Sequence, residues 1–199
     1  MNMKNIFCHL KVVLIHKFWV MYYCFISGLC YRGIVHDMSK FSLVEFCESV
    51  KFFTGVDSPI KKAIEKNGYS KAWLHHAGHN SHHHSYWNTW TDNGLYTIRM
   101  PFEDAVEMIC DCLAASRSYK RPGYKKQILW WKKVEKKYVN MHPDIKNFCR
   151  MCWEIISQED SPRLLSDKKF LHHLYTINCI NPKTILLIPK EKVMKNEYV

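Results

Sequence analysis

The sequence is short of what a many-stranded or membrane-spanning protein needs. Seven glycines and seven prolines in 199 residues, several of them in turn contexts such as Val56-Asp57-Ser58-Pro59 and Lys120-Arg121-Pro122-Gly123, are too few breaks for a sandwich or barrel of many short strands. No apolar run is long enough for a span. Phe18 to Tyr31 is free of formal charge for only 14 residues and is bounded by Lys17 and Arg32, where a membrane helix needs about 20. With Lys11 and His16 also upstream, a buried first helix is expected there rather than a span or a signal sequence. The nine cysteines lack the regular spacing of a secreted disulfide framework, so they are expected as reduced, mostly buried thiols of a cytoplasmic protein. Cys149-Arg-Met-Cys152 has the spacing of half a zinc site, but no second CxxC partners it, and Cys110/Cys112 form only a CxC.

Acidic residues are also scarce, 18 against 29 lysines and arginines, for a formal charge of +11. Such a field attracts phosphates, nucleotides or nucleic acid. The excess gathers in Lys125-Lys126, Lys132-Lys133, Lys136-Lys137 and the Lys190 to Lys195 tail, a pattern better read as solvated helix faces than as a nucleic-acid surface. Nucleic acid is therefore not the favoured partner, no membrane is expected, and the oligomeric state is not legible.

What is abundant is apolar and aromatic content, 47% and 14%, enough for one sizeable core. An all-α, compact single-domain helical bundle is expected, with residues 1–160 as the main helical domain and 161–199 as a C-terminal helix and extended basic tail packed on it. The first helix, about Ile6 to Leu29, is apolar enough to be largely surrounded, with Gly28 ending it. Ser42-Leu43-Val44-Glu45 has the pattern of a capping box opening a helix through Phe53. Thr54 to Gly68 reads as a polar excursion, Tyr69 to His76 as a further helix, and Asn80 to Arg99 as a long loop. Pro101 starts a helix running to about Ser118. Helices are expected over Lys125–Val139 and Pro143–Ile156, a further one over Leu164–Tyr175, and a short strand or extended tail at Thr184–Pro189.

Four features far apart in sequence fit one metal centre: His16 in the first helix, His36-Asp37 at a junction, the histidines from His75 to His83, and Asp111 in a later helix. Imidazole and carboxylate are the usual ligands of zinc, iron and manganese. The run Arg32-Gly-Ile-Val-His-Asp-Met-Ser-Lys-Phe-Ser42, with Ala72-Trp-Leu-His-His76, Asn80, His82-His83, Tyr86-Trp87, Met100-Pro101 and Glu107-Met-Ile-Cys-Asp111, resembles the HD-domain metal-dependent phosphohydrolase superfamily. It also looks like an uncharacterised family of bacterial and phage proteins within that fold. The likeness spans roughly His9 to Ala115.

The resemblance implies a helical fold holding one or two divalent ions (Mn, Fe, Zn, Co or Mg) that activate water against a small phosphorylated substrate, with a nucleotide as the leading class. It assigns His16, His36, Asp37, His76, His83 and Asp111 as ligands, with His75, Asn80, His82 and Glu107 behind them. His79 and His84 fall outside the family pattern and read as surface or loop. Asp37 is expected to orient the water as well as ligate. Lys40, three residues on, is expected to neutralise phosphate charge, with Arg32, Lys71 and Arg99 as further substrate contacts. Two alternatives stand beside this. One is a two-iron oxygenase of the same superfamily, the other a non-catalytic nucleotide-binding module. Trp73, Trp87 and Trp90 are read as packing residues before base-stacking ones.

Overall fold

A computed structural model describes residues 2–119 and 123–194, apart from the side chains of 192 and 194. The Lys120-Arg121-Pro122 part of the expected turn and the Lys195 end of the tail lie outside the described residues.

The chain is mostly helical. Helix α1 (Met3–Ile26) is followed by α2 (Cys30–Val35), a 3-10 turn over Met38–Phe41, α3 (Leu43–Lys51), α4 (Pro59–Asn67) and α5 (Lys71–His79). Strands β1 (Asn88–Thr91) and β2 (Gly94–Ile98) precede α6 (Phe102–Ser118), α7 (Gln127–Val134), α8 (Pro143–Glu159), α9 (Lys168–Asn178), β3 (Ile185–Pro189) and α10 (Lys190–Met194).

The local signals behave as their chemistry requires. The Ser42 side chain accepts from the Glu45 N–H at the start of α3, although the Glu45 carboxylate turns elsewhere, as described below. Gly28, at φ +77°, follows the end of α1. The supposed excursion between Thr54 and Gly68 contains α4, which starts on Pro59, a residue whose fixed φ suits a first helical turn.

Two expectations need correction. The all-α reading misses a three-stranded antiparallel sheet, ordered β1-β2-β3. Part of the Asn80–Arg99 segment is the β1-β2 hairpin, in which Asn88 pairs with Thr97 and Thr91 with Gly94. The strands are too short to show a period, and only β2, the central one, is substantially buried. Ile185 to Pro189 then pairs with β2 from Ile98 back to Gly94, tying the C-terminal segment to the middle of the chain. The second correction concerns α1, which is not surrounded. Its buried stripe, His9, Val13, His16, Val20, Tyr23 and Cys24, follows the three-and-four spacing of a single helix face. Its opposite side leaves Phe7, Leu14, Phe18 and Phe25 exposed.

Helix α6 is the axis of the core. Ala105, Val106, Ile109, Cys110, Leu113 and Ala114 are essentially inaccessible and join residues from α1 and α8, including Tyr23, Phe148, Trp153 and Ile156, in one cluster. A side chain of this size gains roughly 1.5–3 kcal/mol when fully buried, so this layer fixes the position of α6 against α1. All nine cysteines are unpaired. Cys149 and Cys152 lie in that core, where burial pushes both thiols up, the behaviour of structural rather than reactive cysteines.

Candidate metal centre

The His36-Asp37 pair is aimed by three local features. Gly33 is buried where a Cβ would lie 2.8 Å from the Cys24 Cβ and 3.2 Å from the Met21 Cα, so only glycine lets α2 rest this closely on α1. Lys17 of α1 donates to the carbonyls of Ile34 and His36 at 2.7 and 2.8 Å, pinning the end of α2. Asp37 then adopts φ +53°, ψ +29°, a left-handed conformation that aspartate tolerates better than most side chains but still at a cost. Strain of this kind at the central residue of a buried cluster marks a position selected for where its side chain goes.

Both Asp37 oxygens face histidine nitrogens. On the Oδ2 side, His36 Nε2 is 3.1 Å away and His16 Nε2 3.6 Å, and both nitrogens approach Asp111 Oδ1, at 3.5 and 3.0 Å. On the Oδ1 side, His76 Nε2 is 3.4 Å away and His82 Nε2 3.5 Å. His83 completes this second set, its ring 4.2 Å from that of His82 and 4.7 Å from that of His76. The ligand atoms of His16, His36, Asp37 and Asp111 lie within 4.8 Å of one another, and so do those of Asp37, His76, His82 and His83. Asp37 belongs to both.

The donor set fits metal ions on a direct observation. His16 Nε2, His36 Nε2, His82 Nε2, His83 Nε2 and Asp37 Oδ1 are buried without a hydrogen-bonding partner. A buried polar atom left unpaired costs about 1–3 kcal/mol, and cations held between these atoms could satisfy them. Imidazole nitrogens and carboxylate oxygens in sets of four suit zinc, iron or manganese.

Two outer carboxylates hold the imidazoles from behind. Glu107 accepts from His36 Nδ1 at 2.8 Å and lies 3.4 Å from His82 Nδ1. Glu45 accepts from His76 Nδ1 at 2.8 Å and from His75 Nδ1 at 2.7 Å. A proton fixed on Nδ1 leaves the Nε2 lone pair free to bind a metal, the usual role of such partners. Burial pushes the Glu107 carboxyl up, but His36 and His82 outweigh it and hold the group down at about 2. It is an anion throughout the physiological range.

A cavity of about 210 Å³ opens on the cluster, bordered by His16, Lys40, His76, His83 and Asp111. Val12, Val13, Pro59, Ile60, Trp73 and Ala115 are half of the remaining lining residues, the others being His9, Glu45, Ser49, Ser58, Ser118 and Tyr119. Lys40 is the only lysine or arginine among the described lining residues. Its ammonium lies 2.5 Å from Asp37 Oδ2.

His9 lies at the far side of the cavity between Phe46 and Phe53, with ring centroids at 5.4 and 5.5 Å. Burial, reinforced by the Lys40 charge, lowers it to about 4 from the ordinary 6.5. The unfolded chain therefore binds a proton near pH 6.5 that the folded chain takes up only near 4. Stability from neutral His9 is complete above that range and lost as pH falls through it. Between pH 7 and 5 the wild type is expected to lose about 2 kcal/mol relative to His9→Phe. Denaturant midpoints of the two proteins at both pH values check this.

The remaining sequence candidates divide. His75 shares Glu45 with His76, and Asn80 Nδ2 donates to the His76 carbonyl and to Ser39 Oγ, at 2.7 and 2.8 Å. His82, expected behind the ligands, instead presents Nε2 to Asp37 among them. Arg32 does not reach the cavity as a substrate contact, because its guanidinium is held by Glu107 at 2.8 Å and by Asp104. It orients Glu107 instead. Arg99 is drawn away to Asp144, 2.6 Å distant, and to the Asn181 carbonyl. Lys71 is exposed, touching the site region only through its backbone N–H on Glu48, and neither Lys71 nor Arg99 lines the cavity. His79 is exposed and stacks on His75 at 4.0 Å. His84 lies in the segment between α5 and β1, half-buried, bonded to Asn140 at 3.1 Å and packed on Tyr138. Trp73 lines the cavity, Trp87 donates to the Ser81 carbonyl at 2.6 Å, and Trp90 is exposed.

Sequence reasoning missed Glu45 entirely, since a glutamate three residues after Ser42 is what a helix cap supplies. It also missed His9 as a cavity residue. A heptad's distance from His16 on the same helix face was the available signal.

A family model described as "Family of unknown function (DUF5662)" matches residues 5–154, well over half of the chain, which includes every residue of the metal cluster. The chain belongs to that family. No curated protein and no solved structure gives a match.

Proposed function

We propose that this member of a family of unknown function is a metal-dependent phosphohydrolase of the HD type, acting on a small phosphorylated substrate. The observation that carries the reading is the shared carboxylate: Asp37 stands between two sets of metal-ligating side chains, four of whose imidazole nitrogens are buried and unpartnered, beside a cavity whose wall carries one ammonium group. Divalent ions held there would lower the pKa of a bound water toward 7 and polarise a phosphoryl oxygen.

The chain's own residues supply the rest. Glu107 and Glu45 keep their histidines in the Nδ1-protonated tautomer, so the donor set needs no rearrangement to bind. Lys40 offers a cation to charge developing on phosphoryl oxygen. The apolar wall of Val12, Val13, Pro59 and Ile60 excludes water and strengthens both interactions by lowering the local dielectric. One ammonium suits one phosphoryl group better than a polyphosphate chain, so nucleoside monophosphates and simple phosphomonoesters come first as substrates.

Phosphate release from a panel of mono-, di- and triphosphates and phosphodiesters, with Mn²⁺, Fe²⁺ or Zn²⁺ supplied, tests the proposal. Turnover of a monophosphate that is lost on chelation is the expected result. The imidazole-rich donors and the mostly apolar wall favour one second reading, a two-iron oxygenase. Iron as the bound metal, oxygen uptake and no phosphate release from any panel member would establish that reading in place of the first.

A further inference from the structure

Helix α1 has two apolar faces. One is buried, with His9, Val13, His16 and Val20 turned toward the metal centre and the core. On the other, Met3, Phe7, Leu14 and Phe18 are 52–64% exposed, and Tyr22 and Phe25 45% and 43%. At about 200 Å² for a side chain of this size, these six leave roughly 640 Å² of apolar surface in water. The largest apolar patch of an ordinary monomer measures about 300–600 Å² and is often functional. No aspartate or glutamate occurs in α1 to break this one.

The order of residues on the face says what covers it. Phe7, Lys11, Leu14, Phe18, Met21 and Phe25 follow one another at steps of four, three, four, three and four, the spacing that keeps side chains on one seam against a second helix. The series is also symmetric about position 16. Two such helices lying antiparallel and centred at that level bring Phe7 of one copy to Phe25 of the other, Leu14 to Phe18 and Lys11 to Met21. A two-fold axis repeats each of these contacts, as a self-complementary patch requires. Lys11 is the only charged member of the seam. A helical side chain leans toward its own N-terminus, so in this register Lys11 reaches toward the C-terminal turn of the second copy, the negative end of that helix's dipole.

We propose that this face joins two copies of the chain in a two-fold dimer, α1 against α1 in antiparallel register. Each partner in a stable interface contributes about 800 Å², and the seam with its flanks supplies most of that. A bilayer is the poorer occupant: Lys11 lies on the seam between Phe7 and Leu14 and would be drawn toward the hydrocarbon with them, whereas a second α1 meets its charge. The dimer covers the side of α1 opposite His16 and stands apart from the reaction proposed above.

Sedimentation equilibrium of the full, untagged chain is the test, and the expected mass is twice 23.8 kDa. Leu14→Glu and Phe18→Lys change side chains that are more than half exposed in the single chain. Each variant is expected to keep its helical circular dichroism and to weaken the dimer roughly 30-fold or more, as for a central interface residue. Mixed in equal amounts, the two variants are expected to recover a dimer, because the antiparallel register sets the new carboxylate of one chain against the new ammonium of the other. A monomeric wild type would overturn the proposal, a result that stands even where a variant fails to fold. So would a dimer that neither substitution weakens, or a mixture no more dimeric than its components. Co-sedimentation of a monomeric wild type with phosphatidylglycerol vesicles would give the face to a bilayer instead.

Discussion

Protein produced without a histidine tag is expected to carry about two divalent ions per chain, in the manner of sites whose metals share a bridging ligand, and Asp37→Ala to lose both. The two oxygens of Asp37 face different donor sets, so truncating this one side chain weakens each set together. Substitutions confined to one side act differently. Asp111→Asn impairs the set built from His16 and His36, and His83→Ala the set built from His76 and His82, leaving about one ion per chain in each case.

Stability follows occupancy, since a ligand bound only by the folded chain stabilises it by mass action. At a thousand-fold excess over Kd each ion contributes about 4 kcal/mol, so chelating both is expected to lower Tm by roughly 16–32 °C for a chain of this length. Elemental analysis and thermal melts before and after chelation measure both effects. Metal-free wild type, under conditions where Mn, Fe and Zn are all supplied, would sink the metal centre itself. Equal loss from Asp37→Ala, Asp111→Asn and His83→Ala would reduce it to one ion.

How much of this centre was legible depended on whether a residue's signal lies along the chain or across it. His16, His36-Asp37 and Asp111 are spaced widely, and the match of their order to the HD-domain pattern pointed to a shared site; helices α1 and α6 pack face to face and bring them together. The histidine cluster was legible as a cluster but not residue by residue. Helical spacing separates His75 from His76, yet His82 and His83 follow the end of α5, where no period says which ring turns inward. Glu45 was concealed by a second sufficient explanation, the helix cap. Arg32 and Arg99 were assigned to substrate on charge, and tertiary carboxylates on Glu107, Asp104 and Asp144 claim them. The sheet escaped because β1, β2 and β3 are four or five residues long and its third strand arrives from far along the chain. The exposed face of α1 escaped for the opposite reason. Apolar residues all round a helix predict burial all round it, and here only one stripe is covered.

Lys40→Met should separate the two roles that Lys40 combines. Its ammonium and a metal ion compete for Asp37 Oδ2, from which Lys40 Nζ is 2.5 Å away. Burial alone would lower the lysine's pKa, but in the metal-free chain Asp37 and Asp111 outweigh it and raise the group. Replacing it with an uncharged side chain of similar length removes the competitor and leaves every ligand in place. Metal retention against a chelator is therefore expected to hold or improve. Turnover is expected to fall about 10²–10³-fold, the usual loss when one group that stabilises transition-state charge is removed, with kcat carrying most of the change because that charge develops only as the bond breaks. Metal content and steady-state kinetics on the same preparation decide the matter. Loss of metal together with activity would make Lys40 a structural support of Asp37, and unchanged turnover would remove it from the chemistry, leaving the one ammonium on the cavity wall without the function proposed for it.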